Sequence, residues 1–241
     1  MNPKPYANTR PLGCEIAMPE LENINSARYW DRRFASGDWQ AKGGPSQTAR
    51  FAKSQVPKLQ LSKTFDGTLV DFGCGTGDAF PIYRNAYPNA RLVGIDFSSE
   101  AIRLCRAKYH GLGEFIRGDS ASVPDCNVVI VSNVLEHLTN DTIVVDELLK
   151  RCQRLFIVVP YEERELCEEH VRTYDYRAFS DFPVKRREIF ASKGWSEFGL
   201  ANVFGIQLGN LIRGAAGLPP RRRRLQIMFE IRGMLSPGLP A

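Results

Sequence analysis

Val70-Asp71-Phe72-Gly73-Cys74-Gly75-Thr76-Gly77-Asp78 reads as a buried strand that breaks into a glycine-rich turn. Leu69, Val70 and Phe72 supply the apolar strand, and Gly73, Gly75 and Gly77 fall at alternate positions. A nucleotide-type ligand needs such a turn, because side chains would block close approach of the backbone. The turn opens a helix whose free N–H groups point toward the ligand. Pro81 falls in the first turn of that helix, where a missing N–H costs little.

The spacing separates two cofactor classes. A dinucleotide fingerprint, G-x-G-x-x-G, would have its third glycine where Asp78 stands. An acid there suits a pyrophosphate poorly and a cationic cofactor well. S-adenosylmethionine carries a sulfonium and an ammonium group and no phosphate, and Asp71 at the strand end points the same way.

Further strands follow. Arg91-Leu92-Val93-Gly94-Ile95-Asp96 is a second strand ending in a carboxylate. Asp96 lies 19 residues after Gly77, close to the spacing at which a strand-end acid accepts bonds from both ribose hydroxyls. Phe115 to Asp119 repeats the design, with Asp119 and the Ser120 backbone as readers of the adenine amino group. Val128 to Ser132 is a fourth strand, and Leu155 to Pro160 a fifth. Near-continuous apolar runs of this kind are strands covered on both faces, as in a parallel sheet.

Together these residues resemble the class I S-adenosylmethionine-dependent methyltransferases, over roughly Phe65 to Pro160 and in the expected motif order. VDFGCGTG resembles the family's first motif, GIDFS its acidic second-strand motif, and RGDSASVP its adenine-side motif. SNVLEHL resembles the segment after the fourth strand in small-molecule enzymes of the type 11/12 kind. The resemblance implies an α/β fold: a Rossmann-like, doubly wound, seven-stranded, mostly parallel sheet. The cofactor lies across the carboxyl ends of the first strands. Its expected contacts are Asp71, Gly73, Gly75, Gly77, Asp96, Phe97, Asp119, Ser120 and Asn133. The resemblance does not fix the acceptor, because one fold hosts many chemistries.

At 241 residues the chain suits one α/β domain with extensions. Residues 1–62 are expected to form an arm and a helical lid, 63–210 the cofactor-binding domain, and 211–241 a basic C-terminal extension. Asn25 to Phe34 reads as helical, with Ser26 as its cap. Gly43-Gly44-Pro45 reads as a loop, and Ser46 to Leu59 as a second helix broken near Pro57. YWDRRFASGDW resembles the family's lid, with its order Tyr-Trp-x-x-Arg, Gly, Trp. Trp30 and Trp39 either face the cofactor or pack the lid onto the core; both readings are open. Residues 185–207 read either as an antiparallel strand pair, Lys185 to Ser192 with Phe198 to Gly205, or as a helix and one strand.

Six cysteines lie scattered, at Cys14, Cys74, Cys105, Cys126, Cys152 and Cys167, with no C-x-x-C and no zinc spacing. That pattern points to a reducing cytoplasm, and no metal site is expected. The N-terminus lacks the apolar core of a secretory signal, and no apolar run is long enough to span a bilayer.

The net charge of +5 resides in residues 211–241, which hold six arginines and one acid; the remainder is neutral. The catalytic domain is therefore not a basic nucleic-acid platform. Asn/Asp-Pro-Pro-Tyr and Pro-Cys motifs, which base methyltransferases use, are absent. In the tail, Arg221–Arg224 precede the apolar run Leu225 to Ile231. This cluster is either an attachment to an anionic membrane beside a lipid-linked glycan, an RNA contact, or a solvated charge run beside a segment packed on the domain.

Methyl transfer is an in-line displacement in which alignment supplies most of the catalysis, and a weakly acidic hydroxyl also benefits from a general base. Of three histidines, His110 reads as an exposed helix cap. His137 follows the fourth strand, and His170 lies in a loop after the fifth; these are the candidate bases. Glu136-His137 reads equally as a turn cap. Tyr161, Glu162, Glu163, Arg172 and Tyr174 either bind a polar acceptor or form a solvated loop. The sequence thus points to O-methylation of a small polar molecule or glycan intermediate. The alternatives are an RNA or protein methyltransferase, or a cofactor-binding regulatory protein without turnover.

Overall fold

The computed structural model describes residues 23–192, 194, 215 and 224–236. Seven strands run in chain order: β1 (Thr68–Phe72), β2 (Arg91–Asp96), β3 (Glu114–Arg117), β4 (Cys126–Ser132), β5 (Cys152–Tyr161), β6 (Val184–Ala191) and β7 (Leu225–Arg232). They form one sheet in the order β3-β2-β1-β4-β5-β7-β6. All pairings are parallel except those of β7, which runs antiparallel to both β5 and β6.

Alternation along the strands builds two cores. Val70, Val129, Ile157 and Phe229 join α6 (Asp141–Leu149) on one face. Leu69, Ile130, Phe156 and Met228 face the other way. There they meet α3 (Gly44–Leu59), α4 (Phe80–Ala86) and α5 (Ser99–Tyr109). The apolar runs are therefore continuous because both faces of the sheet are covered.

The helix signals hold locally. Ser26 caps α1 (Ala27–Ala35) by accepting from the Tyr29 N–H at 3.2 Å. Ser98 caps α5 in the same way at the Ala101 N–H. His110 is the exposed C-cap of α5. The lid differs in detail. A short α2 (Asp38–Ala41) follows α1, and α3 begins at Gly44 rather than Ser46. Pro45 stands in the first turn of α3, where its missing N–H has no partner to lose. Pro57 lies within α3, which continues to Leu59.

β6 confirms one strand of the expected C-terminal pair, but its partner is β7. The other expected strand, 198–205, lies outside the described residues, as do the N-terminal arm to residue 22 and Arg221–Arg223. The apolar run after the arginines is therefore a buried sheet strand, not a face free to lie on a membrane; Ile227, Met228, Phe229 and Ile231 are fully buried. Among the described residues, no helix is long and apolar enough to cross a membrane.

Candidate active site

The carboxyl ends of the parallel strands open into a cavity of about 870 Å³, roofed by the lid helices. Its floor is the glycine turn. The Gly73 and Cys74 N–H groups both donate to the Ile95 carbonyl, at 2.7 and 3.1 Å, which curls the chain at the end of β1. Gly73 has φ +74, and a Cβ there would stand 2.4 Å from Val134 Cγ2. Gly75, at φ +52, has only Phe34 Cζ nearby at 3.9 Å, so its backbone is open to a ligand. Gly77 does not line the cavity: its α-carbon faces Cys105 and Tyr109 of α5, so its smallness serves packing.

Asp96 ends β2 and holds the turn. Its carboxylate accepts from the Gly75 N–H and the Ser98 N–H, both at 2.9 Å. Burial pushes its pKa up to about 6, against those two bonds. Asp71 rises to about 7 through burial and the neighbouring Asp96 charge. Two buried acids with raised pKa values fit a site that gains a cation on loading.

Asp78 does not line the cavity. Its carboxylate accepts from Lys108 Nζ at 2.8 Å, Tyr109 OH at 2.7 Å and Thr76 Oγ1 at 2.5 Å, away from the cavity. The acid that broke the dinucleotide pattern is thus paired with Lys108 and Tyr109 of α5, and Asp71 is the acid at the end of β1 that lines the cavity.

The remaining expected cofactor contacts line the cavity: Phe97, Asp119, Ser120, Asn133 and Trp39. Asp119 also caps a short 3-10 turn through the Ala121 N–H at 3.1 Å. The Ser120 hydroxyl is turned to Glu147, leaving its backbone for recognition. Asn133 adopts φ +53, and its Oδ1 accepts from Gln226 of β7 at 2.9 Å. Trp39 lines the cavity, and its Nε1–H donates to Thr76 Oγ1 at 3.2 Å.

The side of the cavity away from the glycine turn is closed by α1. Arg33 lies over the rings of Trp30 and Trp39, 5.2 and 5.7 Å from their centroids, and pairs with Glu169. Tyr29 OH donates to the same carboxylate at 2.8 Å. Asp31 fastens the other face of α1 to the start of α5 through Ser98, Ser99 and the Glu100 N–H. The Tyr-Trp-x-x-Arg order marked the lid, but its dependence on Glu169 has no local signal, because the partners stand more than 130 residues apart.

His137 and His170 meet here, with ring centroids 4.8 Å apart. His137 Nδ1 contacts the Glu169 carbonyl at 3.0 Å, and Trp30 packs edge-on against its ring. Burial, with the His170 and Arg33 charges, drives the His137 pKa down to about 3. His170 Nδ1 contacts the Glu163 carboxylate at 2.5 Å. Its pKa is raised: desolvation opposes the charge, but Glu163 and Glu136 outweigh it. Glu136 is 1% exposed, and burial lifts its pKa to about 8.

Glu163 therefore lines the cavity, whereas Arg172 and Tyr174 do not. Tyr174 OH donates to Asp141 at 2.8 Å and Arg172 pairs with the same carboxylate, bracing the start of α6. Gln55 of α3 and Arg224 also line the cavity; no sequence signal marked Gln55, and Arg224 was marked only as part of the basic cluster.

Residues 69–156 match the family of methyltransferase domains. The ribosomal RNA small subunit methyltransferase H of Coprothermobacter proteolyticus is 36% identical over 73 residues, 30% of this chain and 24% of that protein. The trans-aconitate 2-methyltransferase of Azoarcus sp. (strain BH72) is 29% identical over 107 residues, 43% of this chain and 41% of that one. The solved plantazolicin methyltransferase BpumL in complex with SAH superposes with a TM-score of 0.54 at 17% identity. That superposition covers 86% of this chain and 95% of BpumL, and shows the shared fold.

Residues 69–156 are a class I methyltransferase domain. The chain spans about a quarter to two fifths of the curated relatives it matches. The S-adenosylmethionine of this family fits the cavity's composition. Eight carboxylates and two guanidinium groups line it, an excess that favours a cationic guest over a phosphate-bearing one. In this methyltransferase domain one wall of the cavity is the glycine turn with the ends of β1 and β2, and the other is drawn from the lid, the β4 end and the loop after β5.

Proposed function

We propose that this protein transfers the methyl group of S-adenosylmethionine to an oxygen of a small polar molecule or glycan intermediate. The observation that carries the reading is a single cavity lined both by the glycine turn with Asp71 and Asp96 and by Glu136, His137 and His170. Its volume falls in the range that encloses small ligands. Its acid-rich wall disfavours the phosphates of RNA. The trans-aconitate 2-methyltransferases, named for a small polar acceptor, support the same class.

When bound, S-adenosylmethionine supplies a methyl carbon whose bond to sulfur breaks as the acceptor oxygen attacks, the electron pair staying on sulfur. The chain's own residues do the rest. Gly73 and Gly75 admit the cofactor against the backbone. Asp71 and Asp96 balance its positive charge and bind its ribose. Phe97, Asp119, Ser120 and Asn133 form the nucleoside side. Trp30, Trp39 and Arg33 close the lid, excluding water and aligning the acceptor. Activation of the acceptor hydroxyl falls to the Glu136–His137–His170 cluster. His170 is the more basic ring; His137, with its depressed pKa, stays neutral at physiological pH.

The five described cysteines are all unpaired, which fits a cytoplasmic enzyme. The apolar run beside Arg221–Arg224 is occupied as β7, so contact with an anionic membrane surface would rest on the arginine charges alone.

The test is methyl transfer from labelled S-adenosylmethionine into fractionated cell extract. Label in the polar-metabolite or glycan fraction is expected. Label in RNA would favour the second reading, for which the ribosomal RNA methyltransferase match is the supporting observation. Cofactor binding with no label in any fraction would overturn the enzyme reading in favour of a regulatory one.

A further inference from the structure

The methyl-transfer reading does not account for how the Glu136 carboxyl is satisfied. Glu136 is buried on the short 3-10 turn after β4, and neither oxygen of its carboxylate has a hydrogen-bond partner among the described residues. A buried carboxyl without partners is costly unless a ligand completes it.

Its neighbours are also arranged as acceptors. The Glu169 carbonyl can only accept, so His137 carries its proton on Nδ1 and presents a bare Nε2. The Glu163 carboxylate fixes His170 in the same tautomer. One potential ligand atom from each of Glu136, His137 and His170 lies within 4.8 Å of the other two. One carboxyl group and two imidazole rings thus converge in a cavity lined by further carboxylates.

We propose that Glu136, His137 and His170 hold a divalent transition-metal cation in the acceptor half of the cavity. Two imidazoles with one carboxylate suit manganese, iron, cobalt or zinc, whereas calcium and magnesium favour all-oxygen shells. The outer contacts are those of ligating histidines: one ring nitrogen on the metal, the other held by a carboxylate or a backbone carbonyl. Two ligands on one ion stand at most about 4.2 Å apart, twice a bond of about 2.1 Å. Closing on an ion therefore asks little movement of the side chains. Three protein ligands leave positions open for the acceptor's oxygen, whose hydroxyl the ion would acidify as it does bound water. This deepens the methyl-transfer reading and rests on it for what the ion does, though not for whether the ion binds.

The full chain, stripped with chelator, is titrated with Mn²⁺ by electron paramagnetic resonance and with Co²⁺ by visible absorption. S-adenosylhomocysteine affinity is measured on the same samples by calorimetry. One ion per chain is expected. Glu136→Gln and His170→Ala should each weaken binding by more than about 100-fold, and Glu163→Gln by about 10–100-fold, the range for a lost outer partner of a ligating histidine. Retained S-adenosylhomocysteine binding reports that each variant is folded. If Glu136→Gln or His170→Ala fails that check, Glu163→Gln carries the test. Absence of binding at millimolar ion, or binding unchanged in the folded variants, would overturn the proposal. Metal binding by a chain that fails to bind S-adenosylhomocysteine would uphold the metal site and sink the methyl-transfer reading.

Discussion

The two halves of the cavity are built by different means. On the cofactor side, one short stretch of backbone does most of the work: the turn from Gly73 to Gly75, tied to β2 through Ile95 and Asp96. On the acceptor side, side chains from α1, the β4 end, the loop at 163–170 and the start of β7 converge. A site made by local backbone geometry leaves a motif in the sequence. A site made by convergence leaves isolated residues, each with a plausible bland role. The comparison also has a structural side, because the acceptor half leans on β7: Arg224 precedes that strand, and Gln226 on it holds Asn133.

Breaking that support should have the largest effect. Phe229 is fully buried and packs edge-on against Phe179, with ring centroids 5.2 Å apart. Phe229→Ala should cost about 3–5 kcal/mol of stability through the cavity it leaves, read from urea unfolding. An unshifted midpoint would remove β7 from the sheet. Next comes the cofactor half. Asp96→Ala should weaken S-adenosylmethionine binding by about 1.5–3 kcal/mol, the range for hydrogen bonds to a charged group. Unchanged affinity in calorimetry would take Asp96 out of the site.

What could be read in advance follows the same division. The five parallel strands were legible because apolar runs ending at acids or glycines state both burial and direction, as at Val128–Ser132 and Arg91–Asp96. β7 was hidden because four arginines precede it, and a charge run suggests surface even when the next residues are core. Asp78 misled for a related reason: its position beside the glycines was visible, its partners Lys108 and Tyr109 on α5 were not. His137 and His170 were legible as candidates. Their meeting, with Glu136 behind them, depends on packing between segments over 30 residues apart.

The raised acids give a pH signature confined to the cofactor half. Asp71 and Asp96 titrate near 7 and 6 in the folded chain, against 3.8 as the ordinary value. The folded state then holds protons that the unfolded state has released, so the cofactor-free protein should lose stability as pH rises from about 4 to about 7. A cationic cofactor prefers the ionised acids and should expel those protons on binding. Its affinity should rise across about pH 5–7, by up to tenfold per unit for each group. Calorimetry in buffers of different ionisation enthalpy measures the proton release directly. No released protons at pH 6 would mean that these acids do not face the cofactor's charge.

The smallest expected effect lies where the two halves touch. Trp39 lines the cavity, donates to Thr76 in the glycine turn and packs edge-on against Phe34 at 5.7 Å. The Gly44 α-carbon is pressed so closely against the indole that a Cβ would overlap it. Trp39→Phe keeps an aromatic ring and removes the donor. The lost bond should cost about 0.5–1.5 kcal/mol, the net worth of a neutral hydrogen bond. If Trp39 serves mainly to fasten the lid to the turn, that loss appears in the melting temperature of the cofactor-free chain, and S-adenosylmethionine affinity stays within a few-fold. If the indole is instead a wall for the cofactor, affinity falls while the cofactor-free melt is unmoved. The bond to Thr76 already exists without a ligand, so the first result is expected: the residue that joins the halves acts first on the fold and only through it on the site.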